Sequence, residues 1–238
     1  MTQKNQQRAL SIKYKTLVIN KLKPRERTMN NIIKSIETNI ELSKKDLESI
    51  HNKRETVYPL TRQIIHLCSA AIKNAHRKQY DESLKLVNEA KVLIDKINNE
   101  SIENTPIMSS GYVLDAQKEF TEANVALAFL TNKEIPTALE LSVQISPYLN
   151  GIAEAASELR RTILDALRSD NLDSCETWME CMDETYSMLA GIDYPEAVTG
   201  GLRRTVDQLR GVLERTRGDL TMSLRQKALE NKLDNLHL

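Results

Sequence analysis

Glycine and proline are scarce in this 238-residue chain, seven and six in all, and aromatic residues make up only 4% of it. So few turn-forming residues argue against a fold of many short strands and favour long helices with few breaks. The shortage of aromatics also argues against modules that hold nucleic acid by stacking bases on aromatic platforms. The three cysteines, Cys68, Cys175 and Cys181, form no CxxC pair and no cluster with histidine. Neither a zinc site nor a disulfide framework is therefore indicated, and buried free thiols are expected. No run approaches the roughly 18–20 consecutive apolar residues of a membrane helix, and the polar, basic N-terminus lacks the apolar stretch of a secretory signal. A soluble, cytoplasmic protein is the expectation. Neither GxxxxGK[ST] nor a strand-borne GxGxxG is present, so nucleotide hydrolysis of the usual kinds has no support.

What the chain does have is charge, 28% of its residues, summing formally to zero. The distribution is uneven. Lys4, Arg8, Lys13, Lys15, Lys21, Lys23, Arg25 and Arg27 stand against Glu26 alone in the first 28 residues, a local charge of +7. This extension is either a basic arm that contacts phosphates or a disordered or mis-assigned leader ahead of a start at Met29. Residues 29–238 are expected to form one helical domain, long enough to bury a sizeable core.

Apolar residues recur at helical spacing through most of that domain. Ile33, Ile36, Ile40, Leu47 and Ile50 mark a helix over 30–52, and Leu60, Ile64, Ile65, Leu67 and Ala71 a second over 53–77, with Pro59 kinking it or opening a new one. Further helices are expected over 81–97, 111–130, 146–167 and 172–190, and from 197 into a polar tail. Ser146-Pro147 has the form of an N-cap followed by proline. The count is about seven helices and no convincing strand. Trp178, Met179, Met182, Tyr186 and Leu189 read as core or subunit contact, as do Leu202, Val206, Leu209, Val212 and Leu213, the last group being expected to join subunits.

Asp115, Glu119 and Glu122 fall at i, i+4 and i+7, so three carboxylates share one helix face. Glu154, Glu158, Arg161 and Asp165 form a charged stripe on the 146–167 helix, opposite Ile152, Ala156, Leu159 and Ile163. Such stripes are either solvated faces or, where two helices bring carboxylates together, a site for a hard cation such as Mg²⁺ or Mn²⁺. Lys53, Arg54, Arg62, His66, His76, Arg77 and Lys78 make the 53–77 helix basic over part of its surface, which suits phosphates and also suits plain solvation.

The stretch 116–123, AQKEFTEA, resembles the QEYVEA-like segment of Trax, with its two glutamates here Glu119 and Glu122. The stretch 148–160, YLNGIAEAASELR, resembles the YLxGVADLTGEL segment shared in outline by translin and Trax. Lys53-Arg54 followed by YPLTRQII over 58–65 is similar to the basic helix of that family. The resemblance spans roughly residues 30–220 in the order and length of helices.

Membership of the translin/Trax family implies an all-α, seven-helix subunit assembling into a hollow closed oligomer, a homo-octamer, with carboxylates and basic residues facing the cavity. It implies a metal-dependent endoribonuclease acting on single-stranded RNA, or single-stranded DNA as well, with Mg²⁺ or Mn²⁺ as cofactor. The Trax catalytic aspartate corresponds to Glu154 here, one methylene longer. Glu119, Glu122 and Glu154 are then the catalytic and metal-holding set with Glu158 assisting, and Lys53, Arg54, Arg62 and His66 the nucleic-acid contacts. Translin lacks the catalytic set, so a non-catalytic translin-like binder of single-stranded RNA or DNA is the alternative.

Overall fold

The computed structural model describes residues 24–100, 106–169, 171–172 and 174–234. Residues 1–23 of the basic extension, and part of the expected loop near Pro106, lie outside them. Eight helices and no strand occur among the described residues: α1 Pro24–His76, α2 Tyr80–Glu100, α3 Gly111–Thr131, α4 Ala138–Leu141, α5 Ile145–Arg168, α6 Cys175–Ala190, α7 Glu196–Thr199 and α8 Leu202–Asp234. The chain divides into two units between Asn52 and Lys53. In the first, residues 24–52 are helical throughout. None of the described helices is long and apolar enough to cross a membrane.

The two helices expected over 30–52 and 53–77 are a single α-helix with Pro59 inside it. Pro59 has no N–H to give the Glu55 carbonyl and its ring crowds that carbonyl, yet the helix continues through it. On both sides of it, Val57, Ile64, Leu67, Cys68 and Ala71 are buried against Val87, Ala90, Ile94 and Ile97 of α2 and Val113, Ala116, Phe120 and Ala123 of α3. Ser83 Oγ anchors this packing by donating to the Ala71 carbonyl at 2.9 Å. Phe120, 1% exposed, is the largest of these side chains, and truncating it to alanine would be expected to cost about 3–5 kcal/mol.

A second core gathers Ala153, Ala156, Leu159 and Ile163 of α5, Met179, Met182 and Leu189 of α6, and Leu202, Val206, Leu209 and Leu213 of α8. The α8 stripe was expected to join subunits. It is instead covered within its own chain by α5 and α6. Amphipathic periodicity reports that a face is buried without saying by what.

Helix α3 ends where Asn132 takes the left-handed conformation, φ 52°, with Asn132 and Lys133 donating to the Phe129 and Ala128 carbonyls. The expected N-cap at Ser146 is not used; α5 begins at Ile145 with Gln144 as cap. Gln144 is held in place by tertiary bonds, its N–H donating to Gln117 Oε1 at 3.0 Å and its side chain to the Met108 carbonyl at 2.8 Å. Pro147 then falls in the first turn, where its missing N–H has no helical partner to lose. These caps set the start of α5, and with it the height of every α5 side chain against α3.

Candidate functional site

Helices α3 and α5 make the most extensive helix pair in the described chain, and glycine allows their close approach. A Cβ on Gly151 would lie 2.6 Å from Thr121 Cβ and 2.7 Å from the Lys118 carbonyl oxygen. One turn along α5 from Gly151 stands Glu154, and on α3 Glu119 directly follows Lys118 while Glu122 stands one turn beyond it. A Gly151→Ala substitution should therefore separate the helices at the site itself. Overpacking of this kind costs about 1–3 kcal/mol, so thermal denaturation should show a fall of several degrees.

Glu119, Glu122 and Glu154 each offer a carboxylate oxygen, and the three oxygens lie within 4.8 Å of one another. Two come from α3 at i and i+3, the third from α5 across the crossing. Lys118 sits among them, its Nζ donating to Glu154 Oε1 at 2.7 Å and lying 3.6 Å from Glu119 Oε1. Burial alone would lower the Lys118 pKa, but the bond to Glu154 and the charges of Glu154, Glu119 and Glu122 outweigh it and raise it.

One ammonium does not neutralise three carboxylates. Burial, aided by the charges of Glu154 and Asp115 and opposed by Lys118, holds the Glu119 carboxyl above the ordinary carboxylate range. Glu122 is the most enclosed of the three, and burial together with the charges of Glu119, Glu154 and Glu158 pushes it up to about 8. The arrangement is thus short of positive charge, and its donors are the oxygens that Mg²⁺ and Mn²⁺ prefer. The residues present fit a divalent cation.

Glu158 stands one turn further along α5, outside that group of three, and its Oε2 lies 2.8 Å from Nε2 of His76 at the end of α1. The His76 side chain is 3% exposed. Cys68, also on α1, is buried next to Glu119 and Glu122, and burial with those two charges raises its thiol far above the usual value. It is a neutral wall of the site, without the thiolate that nucleophilic chemistry requires.

The basic residues of α1 lie on a different part of its surface. Arg54, Arg62 and His66 are exposed and recur at near four-residue spacing with Tyr58, while Lys53 is half-buried. Arg54 pairs with Glu55 and places its guanidinium 5.2 Å from the Tyr58 ring centre. Tyr58 in turn meets Tyr112 edge to face at 5.5 Å, which ties the start of this stripe to the first turn of α3. Lys118, His76 and Cys68 have places at the site that sequence reasoning did not assign. Helical spacing puts Lys118 beside Glu122, and the family resemblance put Glu154 in the site, but nothing in the sequence says that Lys118 will bond Glu154 across the crossing. His76 was grouped with the basic surface because burial at the end of a polar segment leaves no periodic signal.

No model of a protein family matches the chain. An uncharacterized protein of Methanocaldococcus jannaschii is 32% identical over 187 residues, covering 78% of this chain and 82% of that protein. Among solved structures, AfC3PO in complex with duplex RNA superposes with a TM-score of 0.71 at 26% identity, covering 80% of this chain and 98% of that one. A crystal structure of AfC3PO matches with a TM-score of 0.71 at 25% identity over 80% of this chain and 99% of that one. Apo-NeC3PO, with a TM-score of 0.67 and 20% identity over 78% of this chain and 97% of that one, shares the fold.

Proposed function

We propose, from the premise that this chain belongs to the translin/Trax family, that it is a metal-dependent endoribonuclease which binds RNA and cuts it within an oligomeric shell. The observation that carries this reading is the convergence of Glu119, Glu122 and Glu154 from two helices. C3PO is the translin/Trax complex, and AfC3PO has been solved with duplex RNA, which supports nucleic acid as the ligand class. Single-stranded RNA is the proposed substrate, single-stranded DNA a further one, and a homo-octamer in the cytoplasm the proposed assembly.

Glu119, Glu122 and Glu154 would hold Mg²⁺ or Mn²⁺. A cation bound there supplies an activated water and offsets the charge that builds on the phosphodiester. Lys118, already among the carboxylates, is placed to swing from Glu154 to a phosphate oxygen once Glu154 has another partner. His76 fixes the orientation of Glu158, leaving its second oxygen to accept a proton at the edge of the site. Arg54, Arg62, His66 and Lys53 neutralise backbone phosphates; with so few aromatics, charge does most of the holding.

The double variant Arg54→Ala/Arg62→Ala should weaken RNA binding and reduce the slope of log affinity against log salt by roughly 1–2, about one for each phosphate no longer neutralised. A slope equal to that of the wild type would remove these arginines from the interface.

A second reading, a translin-like binder without catalysis, is favoured by Lys118: the ammonium already engages Glu154 at 2.7 Å, as a purely structural charge pair would. The two readings separate when labelled single-stranded and duplex RNA are incubated with the full chain in Mg²⁺, Mn²⁺ or EDTA. Cutting in the metal lanes alone supports the nuclease, and the strand form that is cut identifies the substrate. Binding without cutting in every lane supports the binder, and no binding even at low salt would sink both.

A further inference from the structure

Residues 29–50 of α1 carry an apolar stripe that no described part of the chain covers. Met29, Ile33, Ile36, Ile40, Leu47 and Ile50 are 38–64% exposed, although an amphipathic helix gains its stability by burying such a face. Their spacing is four, three, four, seven and three residues, and Ser43 fills the gap in the seven. This is a 3.5-residue period held over three heptads, the pattern of a coiled-coil seam and not of a helix lying on a globular core.

We propose that this stripe is an interface with a second copy of the same segment, forming an antiparallel two-stranded coiled coil. The direction follows from charge. Met29, Ile36, Ser43 and Ile50 occupy one seam position and Ile33, Ile40 and Leu47 the other, which places Glu37 and Lys44 along the same flank. Antiparallel pairing sets Ile33 against Ile50 of the second copy, Ile36 against Leu47 and Ile40 against Ser43. It also sets Glu37 against Lys44 of the second copy, twice by symmetry. Parallel pairing in register would instead set Glu37 against Ile32 and Lys44 against Asn39, and would stack Ser43 on Ser43 in the seam. In this chain Lys44 Nζ bonds Glu41 Oε1 at 2.7 Å on its own helix, with both side chains about two-thirds exposed. An exposed pair of this kind is worth little, so Lys44 can exchange it for Glu37 across the seam.

The test uses the full chain, with Ile40→Cys and Ser43→Cys introduced separately, the two variants tagged to differ in mass, mixed, mildly oxidised and mapped by peptide mass spectrometry. Cysteines facing each other in a seam layer meet the distance requirement of a disulfide. The expected product is the 40–43 bond between copies, at least about tenfold over 40–40 and 43–43 bonds. The singly charge-reversed Glu37→Lys and Lys44→Glu versions should each reduce that yield, and the doubly reversed chain should restore it. Dominant 40–40 or 43–43 bonds would overturn the antiparallel arrangement. No bond between copies, in variants that keep the wild-type melting temperature, would overturn the interface altogether. A bond that forms only after residues 1–23 are deleted would overturn it too, since the chain's own N-terminal segment would then be the occupant.

Discussion

Glu122→Gln should cut metal-dependent cleavage by roughly a hundred- to a thousandfold, while leaving RNA affinity within about twofold of wild type. The size follows from what the substitution removes: a charged oxygen ligand whose cation would act mainly on the transition state, where loss of a single stabilising group costs about 10²–10³ in rate. Affinity is spared because the phosphate contacts are assigned to Arg54, Arg62, His66 and Lys53, which lie on α1 and not on α3. Glu119→Gln should behave in the same way. Glu158→Gln and His76→Ala should cost less, about 10–100-fold, since Glu158 lies outside the group of three and outer partners of a metal site act by orienting it. Single-turnover cleavage with saturating RNA reads all four variants without interference from product release. Equal losses for Glu122→Gln and Glu158→Gln would show that the division between them is wrong, and undiminished cleavage by Glu122→Gln would remove the carboxylates from catalysis.

The second large effect is on stability and needs no substrate. In EDTA, the wild type should lose stability steadily as pH rises from about 5 to 8, and Glu122→Gln should lose less. Glu122 is pushed up from the ordinary 4.5 to about 8 in the folded chain, so between those values the folded state keeps a proton that the unfolded state has released. Stability then falls with rising pH, by up to about 1.4 kcal/mol per pH unit for one such group. Glutamine, neutral throughout, lacks this penalty. With partial relaxation of the site the two proteins should differ little below pH 4.5. They should diverge to about 5–10 °C in melting temperature above pH 8, taking 2–4 °C per kcal/mol for a chain of this size. Millimolar Mg²⁺ should restore the wild type and leave Glu122→Gln nearly unchanged, because a ligand held only by the folded state stabilises it by mass action. Parallel pH profiles for the two proteins would mean that Glu122 ionises without strain, and the site would no longer be short of positive charge.

Both predictions rest on a site that was only half legible beforehand. Glu119 and Glu122 lie three apart on one helix, and 3.6 residues per turn puts them on a common face whatever α3 packs against. The resemblance of 148–160 to the translin/Trax segment singled out Glu154, but spacing by itself could not, since Glu154, Glu158, Arg161 and Asp165 form a stripe that reads equally well as a solvated face. Lys118 was invisible as a partner because its contact with Glu154 joins residues 36 apart. His76, with the same residue type and neighbourhood as exposed His66, gave no sign that it would be buried against Glu158.

The sequence by itself determined that the described chain is helical, roughly where its helices lie and which faces are apolar. These are consequences of local periodicity, scarce glycine and proline, and caps within a few residues of each other. Only the tertiary structure decided that Pro59 interrupts nothing, that the α8 stripe is covered within the chain, and that α5 starts from a glutamine held by Gln117 and Met108. It also decided that Gly151 lets α3 and α5 approach until three carboxylates and one lysine meet. Each of these depends on which distant helix comes to lie against a given face, and that is set by packing of the whole chain, to which a repeat of 3.6 residues carries no pointer.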